Sequence, residues 1–81
     1  MKLYIKTKNE IEQTIGQPLT YEDSKKMIND FFTERNIISN YQRIYKDGPN
    51  RLKIDFGSYI DVIILEGSYE ELKEVLNHID L

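Results

Sequence analysis

The sequence has no cysteine, and this absence removes disulfide bonds, thiolate catalysis and thiolate metal sites together. Its single histidine, His78, leaves the usual general base and metal ligand almost missing as well. No apolar run approaches the roughly 18 residues of a transmembrane helix, and the first residues lack the apolar segment of a secretory signal. We therefore expect one cytoplasmic domain, 1–81, without a cofactor, a metal ion or a membrane segment.

Charge is low and unevenly spread. The net charge is −3, from 14 acidic and 11 basic residues. This balance argues against non-specific binding to nucleic acid, which needs many lysine and arginine contacts with phosphate. The net negative charge is also too small for a protein that mimics nucleic acid, which would need many closely spaced carboxylates. Alanine is absent while isoleucine, asparagine and tyrosine are frequent, a usage typical of AT-rich genomes, so a low-GC bacterium, a phage or a mobile element is the expected source.

Three segments begin with a hydroxyl residue three positions before an acid, a pattern typical of helix N-termini. They are Thr7/Glu10, Thr20/Asp23 and Ser68/Glu71. The first predicts a short helix over 7–16, with Ile11 and Ile15 on one face. The other two predict helices over about 21–35 and 69–79, where apolar residues recur at helical spacing.

Alternating apolar residues and turn signals predict strands over about 2–6, 40–46, 51–56 and 60–66. The expected order is β-α-α-β-β-β-α. This order favours the α+β class, with a small antiparallel sheet and helices packed on it.

The strand pattern also predicts the pairing of neighbouring strands. Placing Ile54 opposite Val62 aligns two apolar faces, but it sets Asp55 opposite Asp61, which is unfavourable. In the preceding hairpin, Ile44 paired with Ile54 sets Arg43 opposite Asp55. An alternative register turns Arg43 toward the core, and the cost of burying its charge disfavours that register.

No arrangement of residues favours catalysis or a metal site. The Asp55/Asp61 pair lacks a neighbouring base and further oxygen ligands, so an arginine-bridged structural pair is the simpler interpretation. Glu74 and His78 supply two ligands where a metal needs three or four. Gly67-Ser68 joins a strand to a helix start but lacks a phosphate-binding motif. We expect no enzyme activity.

The candidate site is instead a surface rich in tyrosine. On the predicted outer sheet face, tyrosine and arginine, the residue types enriched in binding hot spots, lie beside exposed aliphatic residues. The segment 7–16 could cover this face; if it does not, the face is free to bind. The candidate residues are Tyr41, Arg43, Tyr45, Lys53, Tyr59, Ile63 and Leu65, with Glu70, Glu71 and Glu74 of the last helix as a second, acidic surface.

These features favour a non-catalytic protein-binding module that occludes a surface of a larger partner, such as a basic-grooved nuclease or effector complex. By analogy in size and composition alone, the chain is similar to mobile-element inhibitors of host defence such as anti-CRISPR proteins. One alternative is a homo-oligomeric accessory protein, a homodimer for instance, that uses the same patch on itself. Another is a nucleic-acid binder that stacks bases on tyrosines, which the acidic last helix and the overall charge disfavour.

Overall fold

The computed structural model describes residues 1–39 and 42–78, and within these ranges it contains five strands and two helices. Tyr41 and the predicted helix end at 79 lie outside the described residues. The elements are β1 (Lys2–Thr7), β2 (Glu12–Gly16), α1 (Tyr21–Glu34), β3 (Arg43–Lys46), β4 (Arg51–Asp55), β5 (Asp61–Glu66) and α2 (Tyr69–His78). The α+β class and the antiparallel sheet are confirmed.

The prediction of a helix over 7–16 is wrong, because this segment forms a turn followed by β2. The Thr7 hydroxyl accepts a hydrogen bond from the Ile11 N–H at 3.2 Å, and Glu10 adopts a left-handed backbone with φ 66°. A helix this short is marginal by itself. As a strand, the segment satisfies its backbone groups on β1 and packs Ile15 against the core.

The strands form one antiparallel sheet in the order β2-β1-β5-β4-β3. The first strand therefore lies inside the sheet, where it pairs with β5 from Lys2↔Glu66 to Thr7↔Asp61. The edges are β2 and β3. The chain thus returns to its own beginning to complete the sheet.

The predicted register between β4 and β5 is wrong by one residue. Ile54 pairs with Ile63 and Leu52 with Leu65, so Ile63 and Leu65 belong to the core and not to the outer face. Ile63 is fully buried, whereas Ile60 is 62% exposed. The run from 62 to 65 is apolar on both faces, and its alternation does not distinguish the two registers.

The predicted register between β3 and β4 is confirmed. Ile44 pairs with Ile54, which sets Arg43 opposite Asp55 and Tyr45 opposite Lys53. Arg43 consequently stays exposed on the outer face. The cost of burying its guanidinium group therefore distinguished correctly between the two registers considered for this hairpin.

A single core lies between the sheet and the helices. The inner sheet face supplies Leu3, Ile5, Leu52, Ile54, Ile63 and Leu65, and the helices supply Ile28, Phe31, Phe32, Leu72 and Val75. The rings of Phe32 and Phe56 lie 5.2 Å apart between their centroids. Both helices thus pack against the same face of the sheet.

Helix α1 has a defined cap at each end. The Thr20 hydroxyl accepts a hydrogen bond from the Asp23 N–H at 3.1 Å, as the sequence predicted. At the other end Asn36 has φ 55°, and the Ile37 N–H donates to the Phe32 carbonyl at 2.9 Å. These bonds are those of a Schellman motif, which favours glycine at the left-handed position.

Asn36→Gly is therefore expected to raise the free energy of unfolding by about 0.5–1 kcal/mol, because glycine adopts this backbone without strain. Urea denaturation measures the change. Asn29→Gly is the matched control within α1, and it should lower stability by a few tenths of a kcal/mol. The same sign for both variants would contradict the assigned cap.

Candidate binding surface on the outer sheet face

In the described part of the chain, no helix covers the outer face of the sheet. A row of side chains crosses this face from Tyr45 on β3, through Lys53 and Ile64, to Tyr4 on β1. Tyr4 is only 1% exposed although no helix lies over it. The Lys2 ammonium lies 4.7 Å from the centroid of its ring. The centre of the face is therefore covered by its own long side chains.

Tyr4 anchors a polar network on this face. Its hydroxyl donates a hydrogen bond to the Glu66 carboxylate. Arg51 lies between two acids, at 2.9 Å from the Asp47 carboxylate and at 3.9 Å from Glu66. Burial, and then the hydrogen bond with Glu66, raise the pKa of Tyr4 to about 12. This network orders the polar side chains at the end of the face where β4 begins and β5 ends.

Beside the network lies a groove of about 490 Å³, here called the outer-face groove. Lys53 and Ile64 contribute to its floor, the β1–β2 turn and the β4–β5 loop to its walls, and Tyr45 and Tyr59 to its rim. The Lys8 N–H donates to the Ile60 carbonyl at 2.6 Å and joins the two walls. Two loops distant in sequence are thereby held together.

The charges along the groove are balanced. Its cations are Lys6, Lys8, Arg51 and Lys53, and its acids are Glu10, Asp47, Asp55 and Asp61. Lys6 and Glu10 form an ion pair at 2.6 Å, and hydrogen bonding from Lys6 lowers the pKa of Glu10. The groove offers polar contacts of both signs rather than a field of one sign.

Exposed aromatic and aliphatic side chains line the groove. Tyr59 is fully exposed, Ile60 is 62% exposed and Tyr45 is 38% exposed, and all three line the groove. Ile11 is also exposed and closes the β1–β2 turn through the hydrogen bond from the Thr7 N–H to its carbonyl. Tyr45, Tyr59 and Ile60 are here called the rim patch.

The structure divides the predicted site residues among several places. Arg43, Tyr45 and Lys53 lie on the outer face, and Tyr59 lines the groove beside it. Tyr41 lies outside the described residues. The exposed placement predicted for Ile63 and Leu65 is wrong, because the register buries both in the core. Glu70 and Glu74 are exposed on α2, on the opposite side of the sheet.

Glu71 differs from its neighbours because its carboxylate is already engaged. It accepts a hydrogen bond from the Ser68 N–H at 3.0 Å, and the Glu71 N–H donates to the Ser68 hydroxyl at 3.2 Å. It also pairs with the α-amino group of Met1 at 3.3 Å. The Ser68 N–H and then the Met1 amine lower the pKa of Glu71. Its role here is to cap α2.

The predicted pairing of Asp55 with Asp61 is also wrong. Asp55 accepts a hydrogen bond from the Gly57 N–H at 2.9 Å, and Asp61 pairs across the sheet with Thr7. The His78 ring stacks on Tyr21 at 5.0 Å between centroids. Within residues 1–39 and 42–78, no three histidine, aspartate or glutamate side chains are grouped closely enough to hold a metal ion.

Sequence reasoning missed the contribution of the β1–β2 turn and of Ile60. Lys6, Lys8 and Glu10 line the groove, but the assignment of 7–16 to a helix removed this turn from the sheet. The β-branched pair Thr14-Ile15 before Gly16 was an available strand signal. The predicted pairing of Ile54 with Val62 also turned Ile60, two residues before Val62, toward the core.

Comparison of the chain with protein-family models, with curated proteins and with solved structures finds no match to any of the three. In the described residues, no helix is long and apolar enough to cross a membrane.

Proposed function

We propose that the protein is a non-catalytic binding module that recognises a larger protein through the rim patch and the outer-face groove. The observation that supports this most directly is Tyr59, which is fully exposed beside the largely exposed Ile60. Exposed aromatic and aliphatic residues grouped on one surface are typical of protein interaction sites.

The surroundings of the rim patch fit this function. Apolar anchors at the centre and polar groups around them are the usual anatomy of a protein interface. Here the exposed Tyr45, Tyr59 and Ile60 would be the anchors, and the balanced cations and acids of the groove would be the polar groups beside them. Tyrosine also supplies a large contact area at a low cost in side-chain entropy.

The balanced groove argues against nucleic acid as the ligand. Binding to phosphate depends on an excess of lysine and arginine, whereas the four cations of the groove are matched by four acids. A basic partner surface could still contact Glu70 and Glu74 on α2, and this part of the site stays a prediction.

Tyr59→Ala is expected to weaken partner binding by about thirtyfold, the effect of losing a hot-spot tyrosine. The protein is immobilised and exposed to nuclease-treated lysate of a low-GC bacterium, and captured proteins are quantified by mass spectrometry. The analogy in composition supplies the partners to examine first, the nuclease effectors of bacterial defence systems. Capture that is unchanged by Tyr59→Ala would refute the proposal.

Tyr69→Ala is the matched control, because Tyr69 is 59% exposed but lies on α2. It should leave capture unchanged, and both variants should keep the wild-type free energy of unfolding within about 0.5 kcal/mol. Recovery of the bait alone, with a mass that rises with concentration in light scattering, would favour self-association instead. Retention from untreated lysate that disappears when the lysate is treated with nuclease would favour nucleic acid.

A further inference from the structure

The edge strand β3 leaves backbone groups without partners in the sheet. The Asp47 N–H donates to the Arg51 carbonyl at 2.9 Å, so this pair is hydrogen-bonded. Hydrogen-bonded and open pairs alternate along an antiparallel ladder. Ile44 and Lys46 therefore occupy the open pairs, and their N–H and C=O groups point away from β4. A strand of another molecule could pair with them.

The side chains of β3 give this edge a charge. Arg43 and Lys46 are both exposed, and the strand contains no acid. Among the described residues neither makes an ion pair. Arg43 only lies over the Tyr45 ring, at 5.6 Å from its centroid. Two cations are thus available at the two ends of the strand.

An apolar groove of about 170 Å³ adjoins the inner side of β3. Tyr21 and Ile28 of α1 and Ile44 and Ile54 of the sheet contribute to its lining. Since successive residues of a strand point to opposite faces, a strand added at β3 would direct every second side chain toward this groove.

We infer that β3 is a strand-addition site for an extended acidic segment of a partner protein. In antiparallel pairing, the segment places an acid opposite Lys46, any residue opposite Tyr45, an apolar residue opposite Ile44 and an acid opposite Arg43. The backbone of Ile44 and Lys46 supplies the hydrogen bonds, and the two cations select the charge. This edge shares Tyr45 with the rim patch, but its backbone and charge contacts do not involve Tyr59 or Ile60.

A second copy of the chain fits this edge poorly. Pairing β3 with itself would bring two Arg43 and two Lys46 side chains to one short seam, with no acid on either strand. Like charges held close in a seam are unfavourable. An acidic partner removes this repulsion and replaces it with attraction.

The test is a titration of the whole protein with the peptide TTETVETT, whose termini are acetylated and amidated. NMR spectroscopy records the chemical-shift changes of the backbone amides during the titration. The largest shifts are expected at Ile44 and Lys46. Lys46→Glu should weaken binding of this peptide by about fivefold or more and should favour the peptide TTKTVETT, in which only the residue opposite position 46 changes sign. Lys26→Glu carries the same change of charge on α1 and should leave the affinity unchanged.

A second variant tests the backbone contribution. Lys46→Pro removes an N–H that points away from β4, so the internal ladder is retained while the donor to the partner is lost. It should abolish binding without unfolding the protein, whose circular dichroism serves as the check. Equal affinity for both peptides, shifts centred at Tyr59, self-association through β3 or no shift at all would overturn the inference. Tyr59→Ala should bind the peptide normally, which distinguishes failure of this inference from failure of the proposed function, whose test depends on Tyr59.

Discussion

Ile63→Ala is expected to lower the free energy of unfolding by about 3 kcal/mol, because it leaves a cavity among fully buried side chains. Ile63 has no exposed surface and pairs with Ile54 on one side and Ile5 on the other. A loss of this size is a large part of the stability of a small domain. Urea denaturation of the two proteins gives the difference.

Ile60→Ala is the matched control for Ile63→Ala, since it removes the same atoms from a largely exposed residue of the same segment. Its effect should stay within about 0.5 kcal/mol. The pair of variants distinguishes the two registers of β5. If Ile60→Ala were the more damaging change, the register predicted from sequence would be the correct one.

The stability of the protein is expected to fall by roughly 2–3 kcal/mol as the pH rises from 10 to about 12. The cause is Tyr4, whose pKa is raised to about 12 in the folded state, first by burial and then by its hydrogen bond with Glu66. The folded protein holds this proton more tightly than the unfolded chain. The contribution is therefore complete below pH 10 and is lost as the pH passes through the folded pKa.

Tyr4→Phe isolates this effect because it removes the hydroxyl and keeps the ring. Below pH 10 the variant should be about 1 kcal/mol less stable than the wild type, the usual value of one hydrogen bond. The gap should close or reverse as the pH rises. Tyrosinate absorbance of the two proteins should differ by one group that ionises near pH 12 in the wild type. A constant gap at every pH would contradict the assignment.

The helix signals of the sequence worked where tertiary packing agreed with them. Thr20/Asp23 and Ser68/Glu71 both cap helices in the structure. Thr7/Glu10 has the same spacing, but its hydroxyl accepts from Ile11 in a turn. The difference is not local, because β1 offers the segment a pairing partner, and within 7–16 only the β-branched pair Thr14-Ile15 indicated a strand.

The position of β5 explains why part of the site could not be predicted. It lies between β1 and β4, so Ile63, Ile64 and Leu65 are all buried whichever face they point to. A strand buried on both faces loses the alternation on which register arguments depend. On β3, by contrast, the charge of Arg43 distinguishes the outer face from the core. The predicted β3–β4 register, and with it the outer-face position of Arg43, Tyr45 and Lys53, was therefore correct.

The pairing of β1 with β5 also determines how the chain folds. It joins Lys2 to Glu66 and Thr7 to Asp61, so residues 8–60, about two thirds of the chain, lie within the loop that this pairing closes. The N-terminal hairpin and the β3–β4 hairpin can each form from local contacts. The entropic cost of the long closure then falls on the step that unites them. We therefore expect this non-local strand pairing to limit the folding rate of the domain.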